Sequence, residues 1–215
     1  VIEFNTDGKI LNANENFLAT MGYQLADIQG KHHRMFVDGA YANSPDYQDF
    51  WQQLRQGKHQ SGEYQRFAKG GKEVWIQAAY TPIFDVNGEV LKIVKYATDI
   101  TQQKQDYANF QGQISAIGKS QAVIEFDMDG NIIEVNDMFL SVMGYERSEL
   151  VGKAESILLT DEDKNSPMLN MLWNSLRDGS FFSGEFKRIH KSGKEVWLNG
   201  TYNPIVNMEG NIYKV

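Results

Sequence analysis

Across its 215 residues the chain is 41% hydrophobic and 23% charged, carries a formal net charge of −7, and has no cysteine. That balance supports an ordinary buried core, excludes a disulfide framework or thiolate metal site, and, with no cluster of Lys and Arg, argues against binding a phosphate backbone. No apolar run approaches the roughly 18 residues of a membrane span, and the first residues lack the basic start and apolar stretch of a signal peptide. With no initiator Met and an end at Tyr213-Lys214-Val215, the sequence reads as a segment of a longer protein.

The first elements are two short strands. Val1–Phe4 and Lys9–Asn14 flank Asp7-Gly8, a pair that predicts a two-residue hairpin turn. A short helix follows and ends near Gly22. Ser44-Pro45 opens a longer helix, since Ser accepts from free N–H groups and Pro fits the first helical position. Tyr47, Phe50, Trp51 and Leu54 give that helix one apolar stripe, and Gly57 ends it. Three strands close the unit: Gly62–Ala68, Lys72–Tyr80 and, after the Asn87-Gly88 turn, Val90–Ile100.

Asp99–Ala122 then reads as a connecting helix. Tyr107, Phe110, Ile114 and Ile117 form an apolar seam along it, and Gly112 interrupts its helix propensity. Such a seam either packs on its own domain or forms an interface with another chain.

Beyond it the sequence repeats at an offset of 122 positions without a gap. Val1-Ile2-Glu3-Phe4 falls on Val123-Ile124-Glu125-Phe126, Trp51 on Trp173, Trp75 on Trp197, and Tyr80-Thr81-Pro82 on Tyr202-Asn203-Pro204. A period of this size means duplicated domains and not a solenoid. The second copy stops at Val215, opposite Ile93, so it lacks a counterpart of Val94–Ile100 and its last strand is truncated. The predicted organisation is a domain over 1–101, a helical linker over 102–122 and a second domain over 123–215. Each domain is α+β, an antiparallel sheet with helices on one face.

Alternation along the fourth strand puts Val74, Ile76, Ala78 and Tyr80 on one face and Trp75 on the other. The counterparts are Val196, Leu198, Gly200 and Tyr202, with Trp197 opposite. Trp75 and Trp197 therefore read as outer-face residues that pack on the linker or a partner. Small side chains at Ala78 and Gly200 leave volume that a neighbour or a ligand must fill. Asn14 and Asn136 sit where a strand becomes a helix, good N-cap positions. The histidines do not repeat: His32-His33 becomes Ala154-Glu155, His59 becomes Phe181, and His190 stands opposite Ala68. No triad, P-loop or metalloprotease pattern is present, so a catalytic reading has no constellation to stand on. The sequon Asn199-Gly200-Thr201 carries no weight in a chain read as cytoplasmic.

"DGKILNANENFLATMGY", the Ser-Pro-capped helix with its Trp, and "GKEVWIQAAYTPI" followed by "NGEVLKIVKYATDIT" resemble the PAS family of sensory domains, as two tandem copies over nearly the whole chain. More narrowly, "GKHHRMFVDGAYANSPDYQDFW" with "SGEYQRFAKGGKEVW" is similar to the PAS pairs of bacterial chemoreceptors of the energy-taxis and biofilm-dispersion type. The resemblance implies a five-stranded sheet forming one wall of a pocket, and a signalling domain downstream. It implies FAD as the leading cofactor, haem b as the second, or no cofactor at all. The ligand-facing candidates are then Ile76, Ala78 and Tyr80 with Leu198, Gly200 and Tyr202 on the strands, Trp51 and Trp173 on the long helices, and Asn14 and Asn136 at the caps. His33 matches a His of the flavin-binding energy-taxis receptors. The family's Trp-Ser-Gly is Gln60-Ser61-Gly62 here and Phe182-Ser183-Gly184 in the second copy, so Phe182 supplies an aromatic where Gln60 does not. A haem ligand would come from His33 or His59. The expected function is the input of a cytoplasmic, homodimeric chemoreceptor that signals redox state, oxygen or a small ligand to a downstream domain; the alternatives are a cofactor-free dimerisation or interaction module, or input to a histidine kinase or cyclic-dinucleotide enzyme.

Overall fold

The computed structural model describes all 215 residues. The chain gathers into two compact units, Val1–Phe110 and Gln111–Val215. In the first, β1 (Ile2–Phe4) and β2 (Ile10–Ala13) form an antiparallel hairpin. Its turn is wider than the two residues that Asp7-Gly8 predicted. Asn5 is the reason: its backbone N–H reaches the Lys9 carbonyl at 2.8 Å, and its Oδ1 accepts from the Asp7 and Lys9 amides. Gly8 takes φ +82° inside this loop, a left-handed conformation that glycine adopts without strain.

The helices follow as α1 (Glu15–Met21), α2 (Leu25–Ile28), a 3-10 turn over His33–Phe36, α3 (Gly39–Ala42) and α4 (Pro45–Arg55). Asn14 caps α1 by accepting from Phe17 N, and Ser44 caps α4 by accepting from Tyr47 N. Tyr47, Phe50, Trp51 and Leu54 are all buried under the sheet, each such side chain contributing roughly 1.5–3 kcal/mol of transfer free energy. Strands β3 (Gln60–Phe67), β4 (Glu73–Phe84) and β5 (Val90–Asp99) complete a five-stranded antiparallel sheet in the order β2-β1-β5-β4-β3. Val74, Ile76, Ala78 and Tyr80 face inward from β4, as its alternation requires.

From β5 the chain runs into α5 (Thr101–Ser120), a continuous 20-residue helix in which no residue is buried. Gly112 does not break it.

The second unit repeats the plan: β6 (Ile124–Phe126), β7 (Ile132–Val135), α6 (Asp137–Met143), α7 (Arg147–Leu150), 3-10 turns at Glu155–Leu158 and Asp163–Asn165, then α8 (Pro167–Arg177). Strands β8 (Phe182–Ile189), β9 (Glu195–Tyr202), β10 (Ile205–Val206) and β11 (Ile212–Lys214) follow. They pair as β6-β7, β8-β9 and β10-β11. In the first unit, β4 is held to β5 from Ile76↔Asp99 to Phe84↔Val90. In the second unit β9 pairs with β8 alone. A cavity of about 820 Å³ lies along its other edge, lined by β9 and by Val123–Phe126.

Candidate functional site

The centre of the first unit is His33. The 3-10 turn drives its ring into the core while its neighbour stays at the surface: His32 Nδ1 accepts from Arg34 N, and His33 is fully buried. His33 Nδ1 lies 2.9 Å from Tyr47 Oη on α4, and Nε2 lies 2.9 Å from Tyr80 Oη on β4. A neutral imidazole donates through one nitrogen and accepts through the other, so two hydroxyls satisfy it completely. Burial, reinforced by Arg66 and Lys95, holds the His33 pKa well below its ordinary 6.5. Burial likewise pushes the Tyr47 hydroxyl up to about 12. Phe4, His33, Phe50, Trp51, Tyr64 and Tyr80 pack ring against ring around this centre, with centroids from 4.9 Å (Phe50–Tyr80) to 6.5 Å (His33–Phe50).

Two cations border the same cluster. Arg66, inward from β3 and 3% exposed, donates from Nη2 to Tyr80 Oη at 3.0 Å and from Nη1 to its neighbour's carbonyl. Its Nε is buried without a partner, as is Trp51 Nε1. Lys95, inward from β5 and 1% exposed, makes no hydrogen bond or ion pair; its ammonium lies 5.0 Å from the Tyr80 ring centroid and 5.6 Å from that of Phe17. Burial first, and then Arg66, push the Lys95 pKa well down. No carboxylate is buried in this unit.

The second unit builds the same place differently. Glu155 stands where His33 stands, 3% exposed. Trp173 Nε1 donates to its Oε2 at 3.0 Å, while Arg188 Nη2 (2.7 Å) and Tyr202 Oη (2.9 Å) donate to its Oε1. Trp173, Arg188 and Tyr202 are the counterparts of Trp51, Arg66 and Tyr80.

The structure therefore brings Trp51, Ile76, Ala78, Tyr80 and His33 together in one core, and Trp173, Leu198 and Tyr202 in the other. Phe182 is partly buried against Phe186, and Gly200 lies on the open edge of β9. Asn14 and Asn136 serve as caps. Asn136 does more: its Oδ1 accepts from Phe139 N, and its Nδ2 donates to the Gly118 and Gln121 carbonyls at the end of α5. Trp75 is on the outer face, with Lys104 of α5 over its ring at 5.4 Å. Trp197 is exposed, as are Tyr107, Phe110, Ile114 and Ile117. His59 is exposed, and His190 Nδ1 bonds its own turn at Ser192.

Sequence reasoning missed Arg66, Lys95, Tyr47 as a hydrogen-bond partner, and Glu155 as a buried anion. A signal existed for the first two. Arg66 shares the phase of Tyr64 and recurs as Arg188, and Lys95 shares the phase of Ile93.

A family model described as the PAS fold matches residues 10–97 and again 132–215. The biofilm dispersion protein BdlA of Pseudomonas aeruginosa is 42% identical over 214 residues, which cover 100% of this chain and 51% of that protein; the chain thus spans about half the length of this relative. The aerotaxis receptor of Escherichia coli is 30% identical over 86 residues, 40% of this chain and 17% of the receptor. Among solved structures, the PAS domain of a protein from Colwellia psychrerythraea gives a TM-score of 0.42 at 20% identity, covering 47% of this chain and 85% of that one.

Proposed function

The chain belongs to the PAS-fold family, and on that premise we propose that it is the tandem sensory input of a cytoplasmic, chemoreceptor-type signalling protein, non-catalytic itself and coupled to an output domain in the same polypeptide. The observation that carries this reading is the way α5 is fastened. At its start, Thr101 Oγ1 accepts from Trp75 N at 2.9 Å, and Ile100 N donates to Trp75 O at 2.8 Å. Trp75 sits between Val74 and Ile76, whose side chains belong to the core. At its end, Asn136 holds the Gly118 and Gln121 carbonyls. A change in the first core that moves β4 therefore reaches one end of α5 through the backbone, and Asn136 passes the other end to β7 and α6. A coupling of this kind works by shifting the populations of two states.

The two redox groups implied by the family resemblance do not fit the residues. Haem needs a free imidazole nitrogen, and both nitrogens of His33 are engaged by tyrosines. His59 is at the surface. A flavin needs a slot between α4 and the sheet, which the packed rings of Phe4, His33, Phe50, Trp51 and Tyr80 occupy.

Amide hydrogen exchange tests the coupling. Thr101→Val should leave both cores protected and speed exchange across the first turns of α5; unchanged exchange there would end the coupling reading. A visible absorption spectrum of freshly purified protein should be featureless. A flavin or haem band would reverse the conclusion about cofactors.

A further inference from the structure

The charge inside the two units does not balance in the same way. In the second, the buried guanidinium of Arg188 meets the buried carboxylate of Glu155, and Trp173 and Tyr202 complete that carboxylate's partners. In the first, Arg66, Trp51 and Tyr80 are all retained and Lys95 is added, yet the carboxylate has been replaced by His33. The ion pairs of the first unit are Lys69–Asp27 and Lys104–Glu63 on the surface and the half-buried Lys92–Glu3; none involves Arg66 or Lys95. A guanidinium and a lysine amine buried with no anion beside them are unfavourable in their charged forms. Buried donors left unpaired add to that cost, and here they are Arg66 Nε and Trp51 Nε1.

We propose that the first unit binds a small organic carboxylate, which does for Arg66, Lys95 and Trp51 what the Glu155 side chain does for the second unit. Three features favour a carboxylate over other anions. The duplicated site already holds one, on the same Trp-Arg-Tyr donor set. A guanidinium and a carboxylate match in plane and spacing. A carboxylate group is also compact, so it asks far less room of the ring cluster than a nucleotide or a tricyclic ring would. Arg66 and Lys95 both border Tyr80, Arg66 at its hydroxyl and Lys95 over its ring. One anion beside Tyr80 therefore answers both charges. Tyr80 lies on β4, the strand that also carries Trp75 and its latch on α5. The second unit, with its anion built in, has no such vacancy of charge and takes no ligand at this place.

This inference deepens the sensory reading by naming what the first core senses, and its test reads binding and not signalling. The whole 215-residue chain is melted by calorimetry in chloride at fixed ionic strength. Chloride is then replaced stepwise by acetate, by succinate and by inorganic phosphate. The expected result is a saturating rise in the melting temperature of one transition, with acetate or succinate and not with phosphate, and a saturable heat of binding in titration. Arg66→Gln and Lys95→Met should each reduce the apparent affinity at least tenfold. Those variants could fail through folding alone, so the deciding variant is His33→Glu, which copies the second unit's internal carboxylate into the first. It should melt higher than the parent in chloride and should lose the response to carboxylates. A chloride melting curve that no carboxylate moves, a response to phosphate alone, or a His33→Glu protein that still responds fully would each overturn the proposal. Failure of the α5 exchange test with carboxylate binding intact would overturn the coupling and leave this site standing.

Discussion

His33 and Glu155 occupy one position in two copies of the same fold and reach it by opposite chemistry. Each lies in a 3-10 turn just after a short helix, and each points at a pair repeated in the two copies, a tryptophan on the long helix (α4 or α8) and a tyrosine on β4 or β9. His33 is neutral and is answered by two tyrosine hydroxyls. Glu155 takes an arginine, a tyrosine and a tryptophan.

Removing the Glu155 carboxylate should therefore unfold the second unit selectively. Glu155→Ala leaves Arg188 buried without its partner, a loss that costs about 3–5 kcal/mol. Adding Arg188→Met should restore much of it, because an apolar pair of similar volume replaces the ion pair. Urea unfolding of the single and double variants measures both; a single-variant loss below about 1 kcal/mol, the level of an exposed pair, would contradict this account.

The two tryptophans should differ in the same direction. Trp173 Nε1 donates to Glu155, so Trp173→Phe strips a buried carboxylate of one donor and costs about 1–3 kcal/mol. Trp51 Nε1 has no partner, so Trp51→Phe removes an unsatisfied group and should be close to neutral. Equal losses in the two variants would mean that Trp51 Nε1 is not an orphan.

Acid should act on the first unit through His33. Its folded pKa lies below the unfolded value of 6.5, because burial disfavours the charged ring. Above 6.5 both states are neutral and pH has no effect through this group. As pH falls below 6.5 the unfolded chain takes up a proton that the folded one refuses, and stability falls by up to about 1.4 kcal/mol per pH unit until the folded pKa is reached. His33→Gln should flatten that limb of the stability curve. An unchanged acid limb would assign the titration elsewhere.

The α5 seam makes a prediction about association. Tyr107, Phe110, Ile114 and Ile117 are roughly half exposed or more, from 49% to 64%. If a second chain covers them, the double change Phe110→Asp with Ile114→Asp should shift sedimentation toward monomer at micromolar protein. Identical sedimentation would show that the seam is not an interface.

Much of the fold was legible because its signals are local. The caps at Asn14, Ser44 and their repeats, the stripe of α4, and the two faces of β4 follow from neighbours a few residues apart. The hairpin turn was misread because Asp7-Gly8 is a dipeptide signal, whereas the loop is organised by the Asn5 side chain reaching across it. The centre of the site was the least legible part. Nothing within ten residues of His33 says that it lies against Tyr47 and Tyr80; that pairing exists only once α4 packs on the sheet. Lys95 sits in a strand whose alternation puts it inside, but a lysine there invites the opposite reading, since isolated charges are rarely buried. Comparing the copies position by position was the one sequence operation that marked His33 against Glu155 as a difference of consequence.

The bare helix between the units sets where the chain fails first. A helix of 20 residues that buries none of its side chains draws little of the tertiary packing from which helices in proteins take most of their stability. Its opening free energy is accordingly far below that of either core, and it behaves as the weakest foldon of the chain. Limited proteolysis would cut within α5 and release two resistant fragments, each with its own melting transition. The rate of that cut then becomes a gauge of how tightly anything, a second chain or a neighbouring segment, is clasping the seam.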